Sequence, residues 1–217
     1  MIRNILAAAV IGAAAMGAQA STNLVLNGSF DGSTGNYVYN APPASVTQFY
    51  GSVPTQAGTV ADWTGSFVSI TAHSGPWGNP SGLAGFNAAT QGGYVAGVQA
   101  DGTLSQALTL AEGEYSLSWT TANRSGASQN YSVFFNGVKL DQVTTIAGAG
   151  WTTETVSFTT LTGGTGLSFV GGTNYQHTDA TSFIDNVSVS VVPEPTALLM
   201  MAFGTLGLLA WRRRASV

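Results

Sequence analysis

The chain has 217 residues, enough for one ordinary domain with a substantial core. Only 7% of them are charged and none is cysteine, which excludes disulfides, thiolate metal sites and a cysteine nucleophile. Between Arg3 and Arg212 the only cations are Arg124 and Lys139, two against ten acidic residues, a net charge of −8 that excludes a nucleic-acid partner.

The N-terminus reads MIRNILAAAVIGAAAMGAQAS. Arg3 supplies a positive start, Ile5 to Ala15 an apolar run, and Ala18-Gln19-Ala20 a small-x-small cleavage site before Ser21. Residues 1–20 therefore read as a signal peptide for export by the Sec route.

From residue 21 to 191 the pattern is period two, broken by turn clusters. NLVLN, TVADWTGSFVSITA, GGYVAGVQ and TLSQALTL are the first strand candidates. GEYSLSWTTA follows, with Tyr115, Leu117 and Trp119 on one face. NYSVFFNGVKLDQV places Tyr131, Val133 and Phe135 on one face and turns at Asn136-Gly137, the dipeptide a type I′ hairpin favours. TETVSFTT, GLSFVGG and FIDNVSVSVV complete the set, the last with a shift of phase at Asp185-Asn186 that predicts a bulge. About nine short strands and no amphipathic helix make an all-β chain, an antiparallel β-sandwich with jelly-roll topology. Asp31 to Thr47 and His73 to Gly93 read as irregular loops.

The chain ends VVPEPTALLMMAFGTLGLLAWRRRASV. Thr196 to Trp211 is uncharged; as one helix it would span about 24 Å, short of a ~30 Å hydrocarbon core. Trp211 suits the interface, and Arg212, Arg213 and Arg214 stay cytoplasmic by the positive-inside rule. A permanent single-span anchor is one reading. The order Pro193-Glu194-Pro195, apolar helix, arginine cluster also resembles the PEP-CTERM sorting signal of Gram-negative bacteria. The resemblance implies that residues 192–217 are recognised by an exosortase, that 196–211 lies in the inner membrane transiently, and that the body ends in an extracellular polysaccharide or biofilm matrix.

NLVLNGSFD, LAEGEYSLSW, WTTETVSFTT and FIDNVSVSVV, in that order, resemble the galactose-binding-domain-like jelly rolls, a fold shared by carbohydrate-binding modules. This resemblance implies a structural calcium ion held by Asp31, after NGSF, and by Asp185 of IDNV; Asn27 offers a further oxygen on which the reading does not rely. Calcium takes six to eight oxygens, which Gly- and Asn-rich turns supply. Asp31 and Asp185 as simple turn caps are the other reading. For a glycan, rings stack on the sugar and polar side chains bind its hydroxyls. Trp119 and Tyr131 are in phase with their strands and read as core. Trp77 in SGPWGNP and Tyr175 in GGTNYQHTD are the better candidates, with Arg124 and His177 and also His73 and Asn174; a packing or rim residue is the other reading of each.

Catalytic motifs are absent: no HExxH, no GxSxG, no phosphate-binding GxxxxGK[ST]. Glu112 and Glu114 flank Gly113 at a strand start, where solvated turn carboxylates are common. The resulting expectation is a secreted, non-enzymatic matrix protein that binds a glycan. Its alternatives are a self-associating structural protein without ligand and an unusual polysaccharide hydrolase.

Overall fold

The computed structural model describes residues 22–33, 37–40, 60–65, 67–71, 80–99, 101–124, 128–161, 164–172, 180–193 and 204. Residues 1–20, read as a signal peptide, and His73, Trp77, Asn174, Tyr175, His177, Glu194, Pro195 and the arginine cluster lie outside these residues. So does nearly all of Thr196–Trp211; among the described residues no helix is long and apolar enough to cross a membrane.

Among the described residues ten strands form: β1 Tyr37–Asn40, β2 Phe67–Thr71, β3 Tyr94–Gln99, β4 Thr103–Leu110, β5 Gly113–Asn123, β6 Gln129–Phe135, β7 Val138–Thr145, β8 Thr152–Thr160, β9 Gly164–Gly171 and β10 Thr181–Val191. One sheet has the order β1-β2-β3-β10-β5-β8 and the other β4-β9-β6-β7, every pairing antiparallel. With β1 and β2 set aside, β3-β10-β5-β8 against β4-β9-β6-β7 is the two-sheet order of a jelly roll. Asn136 and Gly137 take φ of 50° and 77°, both positive as a type I′ turn between β6 and β7 requires.

This connectivity gives the sandwich two unlike ends. The β3–β4, β5–β6, β7–β8 and β9–β10 connections gather at one, here termed the loop end. The β4–β5, β6–β7 and β8–β9 turns gather at the other, the tail end, where β10 leaves the sheet.

The core is aromatic at its centre. Phe169 lies 5.8 Å from Trp119, 6.2 Å from Tyr131 and 6.4 Å from Trp63, centroid to centroid. Such pairs add about 0.5–1.5 kcal/mol each beyond the area they bury, which matters in a chain without disulfides. The Trp119 Nε1–H donates to the Tyr131 hydroxyl at 2.7 Å, so both polar atoms of this buried pair are satisfied. Trp119 and Tyr131 are core residues, as their phase predicts.

Two expectations change. NLVLN is not a strand: residues 25–29 form turns, with Asn27 at φ 46° and Phe30 at φ 58°. The segment is still sewn to β10, by Leu24 N–H to Val189 O at 2.9 Å and Val187 N–H to Gly28 O at 2.9 Å. Between those points the backbone of Leu26 turns to the other sheet, where the Gln106 amide takes its N–H and gives a donor to its carbonyl. A side chain thus replaces a strand partner, and apolar alternation alone does not reveal it. Tyr37–Asn40, conversely, is a strand inside a stretch read as irregular.

Candidate cation site and loop end

The predicted bulge lies where expected: the β10–β5 register shifts between Asp185 and Ser188, with Asn186 at φ 51°. Its cause is a change of neighbour. On the side away from β5, residues 181–184 of β10 pair with β3. From Val187 onward that place is taken by the 23–28 segment. Asp185 sits at the changeover, fully buried. Its Oδ1 accepts from the Asn186 N–H at 2.7 Å, and its Oδ2 has no hydrogen-bond partner. Burial pushes its pKa up to about 9, against the Asn186 bond that lowers it, and the charge of Asp31 pushes it further the same way.

Asp31 reaches this region from the turn that follows Phe30. Asn27 shapes that turn: its Oδ1 accepts from Gly32 N–H at 2.8 Å and its amide donates to Ala61 O at 2.9 Å. Its amide oxygen is therefore engaged in holding the loop. Asp31 Oδ1 accepts from Gly93 N–H at 2.8 Å, so the carboxylate lies over Gly92-Gly93. Gly92 caps helix α1, Ala88–Gln91, at φ 55°, and a Cβ there would stand 2.2 Å from both Asp31 carboxylate oxygens. Only glycine permits both the conformation and the approach.

The charge of Asp31 is thus felt at Asp185, which is buried with an orphaned oxygen. Such an atom costs about 1–3 kcal/mol when nothing answers it. Among the described residues no group of three or more His, Asp or Glu gathers as a metal cluster. Any further ligands to an ion here would be neutral oxygens. The role of the glycine pair was missed by sequence reasoning: Gly92-Gly93 stood where the His73–Gly93 loop meets the GGYVAGVQ strand candidate, with nothing to mark it as the seat of a carboxylate.

The loop end has a different chemistry. Arg124 is half-buried at the end of β5, its N–H bonded to Thr181 O at 3.0 Å. Below it lies a buried polar layer between the sheets. Asn123 Nδ2 donates to Thr145 Oγ1 and O at 2.6 and 3.1 Å, and Thr145 Oγ1 lies 2.7 Å from Ser182 Oγ. Sequence reasoning missed this layer, although Asn123 continues the inward phase of Trp119 and Thr121 and could have signalled it. The β9–β10 connection, which carries Tyr175 and His177 in the sequence, starts and ends at this same end. Trp151 is half-buried there and stacks on Phe183 at 6.4 Å. Glu112 and Glu114 are exposed at the opposite, tail end.

No curated protein sequence matches the chain. Among solved structures it is similar to the CBM22-1 xylan-binding domain from Paenibacillus barcinonensis, at 11% identity over 82% of this chain and 99% of that one, TM-score 0.45. It is also similar to the carbohydrate-binding module CBM36 in complex with calcium and xylotriose, at 15% identity over 44% and 79%, TM-score 0.38. A third is TmCBM61 in complex with beta-1,4-galactotriose, at 17% over 79% and 100%, TM-score 0.38. These likenesses are too distant to assign a ligand or a site. The tail is more specific: residues 191–214 match the PEP-CTERM protein-sorting motif. The chain therefore carries a sorting signal that marks an exported protein, held in a membrane for a time before display at the surface or outside the cell.

Proposed function

We propose that this chain is a non-enzymatic protein of the extracellular polysaccharide or biofilm matrix, processed by an exosortase, that binds a glycan at its loop end. We further propose that Asp31 and Asp185 hold a structural calcium ion. The sorting motif at 191–214 carries the reading of destination. The glycan reading is supported by the topology: the connections bearing Arg124, Tyr175 and His177 converge at one end of the sandwich. There a guanidinium offers donors to sugar hydroxyls and rings offer faces for stacking. Trp77 lies outside the described residues and completes the proposed set.

The ion is supported by the orphaned Asp185 oxygen beside Asp31. A hard dication suits carboxylates backed by carbonyls and water. Bound there, it would neutralise the buried carboxylate and tie the start of the mature body to its last strand. A non-enzymatic role is supported by Glu112 and Glu114, which lie on either side of Gly113 at one strand start rather than facing across a cleft.

The test is binding of the mature protein to its host's exopolysaccharide, with calcium and with a chelator. Saturable binding is expected, weakened about tenfold by Arg124→Ala, the loss of roughly 1.4 kcal/mol. Absence of binding in both conditions would favour the self-associating structural role, and release of reducing ends would favour a hydrolase. Processing has its own measurement. The intact mass of the exported protein is expected to lack residues 1–20 and everything beyond the Pro-Glu-Pro region; retention of Arg212–Arg214 would mean a permanent anchor.

A further inference from the structure

We propose that, while the tail holds the chain at the membrane, the tail end of the sandwich seats directly on the bilayer surface and points the loop end away from it. The proposal rests on the anchoring read from the sorting motif. It begins with the absence of slack between body and tail. β10 is paired to its last residue, Val191 against Tyr115, and the Val192 N–H still donates to Glu114 O at 2.9 Å. Only Pro193, Glu194 and Pro195 then precede the apolar stretch that begins at Thr196. Three residues span about 10 Å at full extension, and the two prolines restrict how they fold back. The end of the sandwich from which β10 emerges therefore stays within about 10 Å of the interface, closer than a domain diameter. β5, with eleven residues, puts the loop end roughly 36 Å further out.

Among the charged and polar side chains of this end, large apolar ones are also exposed. Leu161 is 74% exposed, Val138 65% and Val191 56%, three of the five large hydrophobic side chains exposed among the described residues. Beside them, between the edge strands β7 and β8, opens a groove of about 220 Å³ lined by Phe135, Val138, Leu140, Phe158 and Leu161. Isolated exposed valines and leucines need no explanation, but Leu161 and Val138 both on the lining of one open groove at the tethered end do. The occupant that fits is the bilayer, because the tether presents it at high effective concentration and inserted apolar side chains need no shaped partner. Lys139 at this end favours an anionic headgroup, whereas Glu112 and Glu114 oppose it, so contact relies on the apolar residues.

The lack of cysteine makes single labels unambiguous. Leu161→Cys, Val138→Cys and, at the loop end, Ile146→Cys would each carry an environment-sensitive fluorophore. The chain from Ser21 to Val217 would be reconstituted into phosphatidylcholine–phosphatidylglycerol vesicles containing nitroxide lipid. Quenching at 161 and 138 is expected to exceed that at 146 by about threefold or more. All three side chains are exposed, so the substitutions leave the core intact. Equal quenching at the three positions in chains that float with the vesicles would overturn the proposal while leaving the anchor in place. Chains that do not float at all would overturn the anchoring and the proposal with it.

Discussion

Asp185→Asn is expected to raise the melting temperature of the chelator-treated protein at pH 7 and to remove its response to calcium. In metal-free protein the unfolded chain ionises Asp185 near the ordinary value of 3.8, whereas the folded chain keeps the proton up to about pH 9. Between those values the unfolded state binds fewer protons, so stability is full below about pH 4 and declines until about pH 9. At pH 7 the decline spans about three pH units, on the order of 4 kcal/mol for a carboxyl that cannot relax. The amide preserves the shape and the acceptor for Asn186 N–H but has no charge to lose. A gain on the order of 2–3 kcal/mol follows, or roughly 5–10 °C for a domain of this size. Calcium should reverse the order, because the ion favours the ionised carboxylate and stabilises only the wild type, by about 2.7 kcal/mol at a hundred times its dissociation constant. Thermal melts across pH 4–9 with and without calcium decide it. A variant less stable than the wild type in chelator, or equally responsive to calcium, would refute the account.

The strands were legible because half-buried antiparallel strands advertise themselves: Tyr115, Leu117 and Trp119, or Val187 and Val189, alternate with polar neighbours as a two-sheet sandwich requires. The β6–β7 turn was legible because Asn-Gly is chemically suited to two successive positive φ values. The Asp185 bulge showed as a shift of phase. The first segment misled because its apolar alternation is real, but its backbone meets β10 only at Leu24 and Gly28. The Gln106 amide answers Leu26, and the segment's own Asn23 side chain bonds Val187 and Val189, none of which follows from a periodic signal. The expected pairing of Asp31 with Asp185 came from resemblance alone; what the fold adds is Gly92, whose missing Cβ makes room for the carboxylate of Asp31, distant in sequence. Such long-range accommodation leaves no local trace.

Gly28→Ala is expected to weaken the ion site without touching either carboxylate. A Cβ on Gly28 would stand 2.1 Å from Val187 O, a backbone atom that cannot swing aside. Ordinary contact needs more than an ångström extra, so the 23–33 segment must lift from β10. Lifting it strains the Gly28–Val187 and Leu24–Val189 bonds. It also disturbs fully buried Phe30, 5.1 Å from Trp63, and the Trp63 Nε1–H bond to Asn27 O at 3.0 Å. A cost on the order of 3 kcal/mol is expected from overpacking against backbone and lost burial together. Because Asp31 rides on this segment, the calcium-dependent rise in melting temperature should shrink in parallel. Gly93→Ala is the control. Nothing lies within 4 Å of its added Cβ, its N–H still reaches Asp31, and its effect should stay within about 0.5 kcal/mol. Calcium titrations followed by thermal melting separate the outcomes. If Gly28→Ala keeps the full calcium response, the ion does not depend on docking the first segment against β10. If it loses that response while Gly93→Ala retains it, the 23–33 segment and the strand that leads into the sorting tail are fastened at one point.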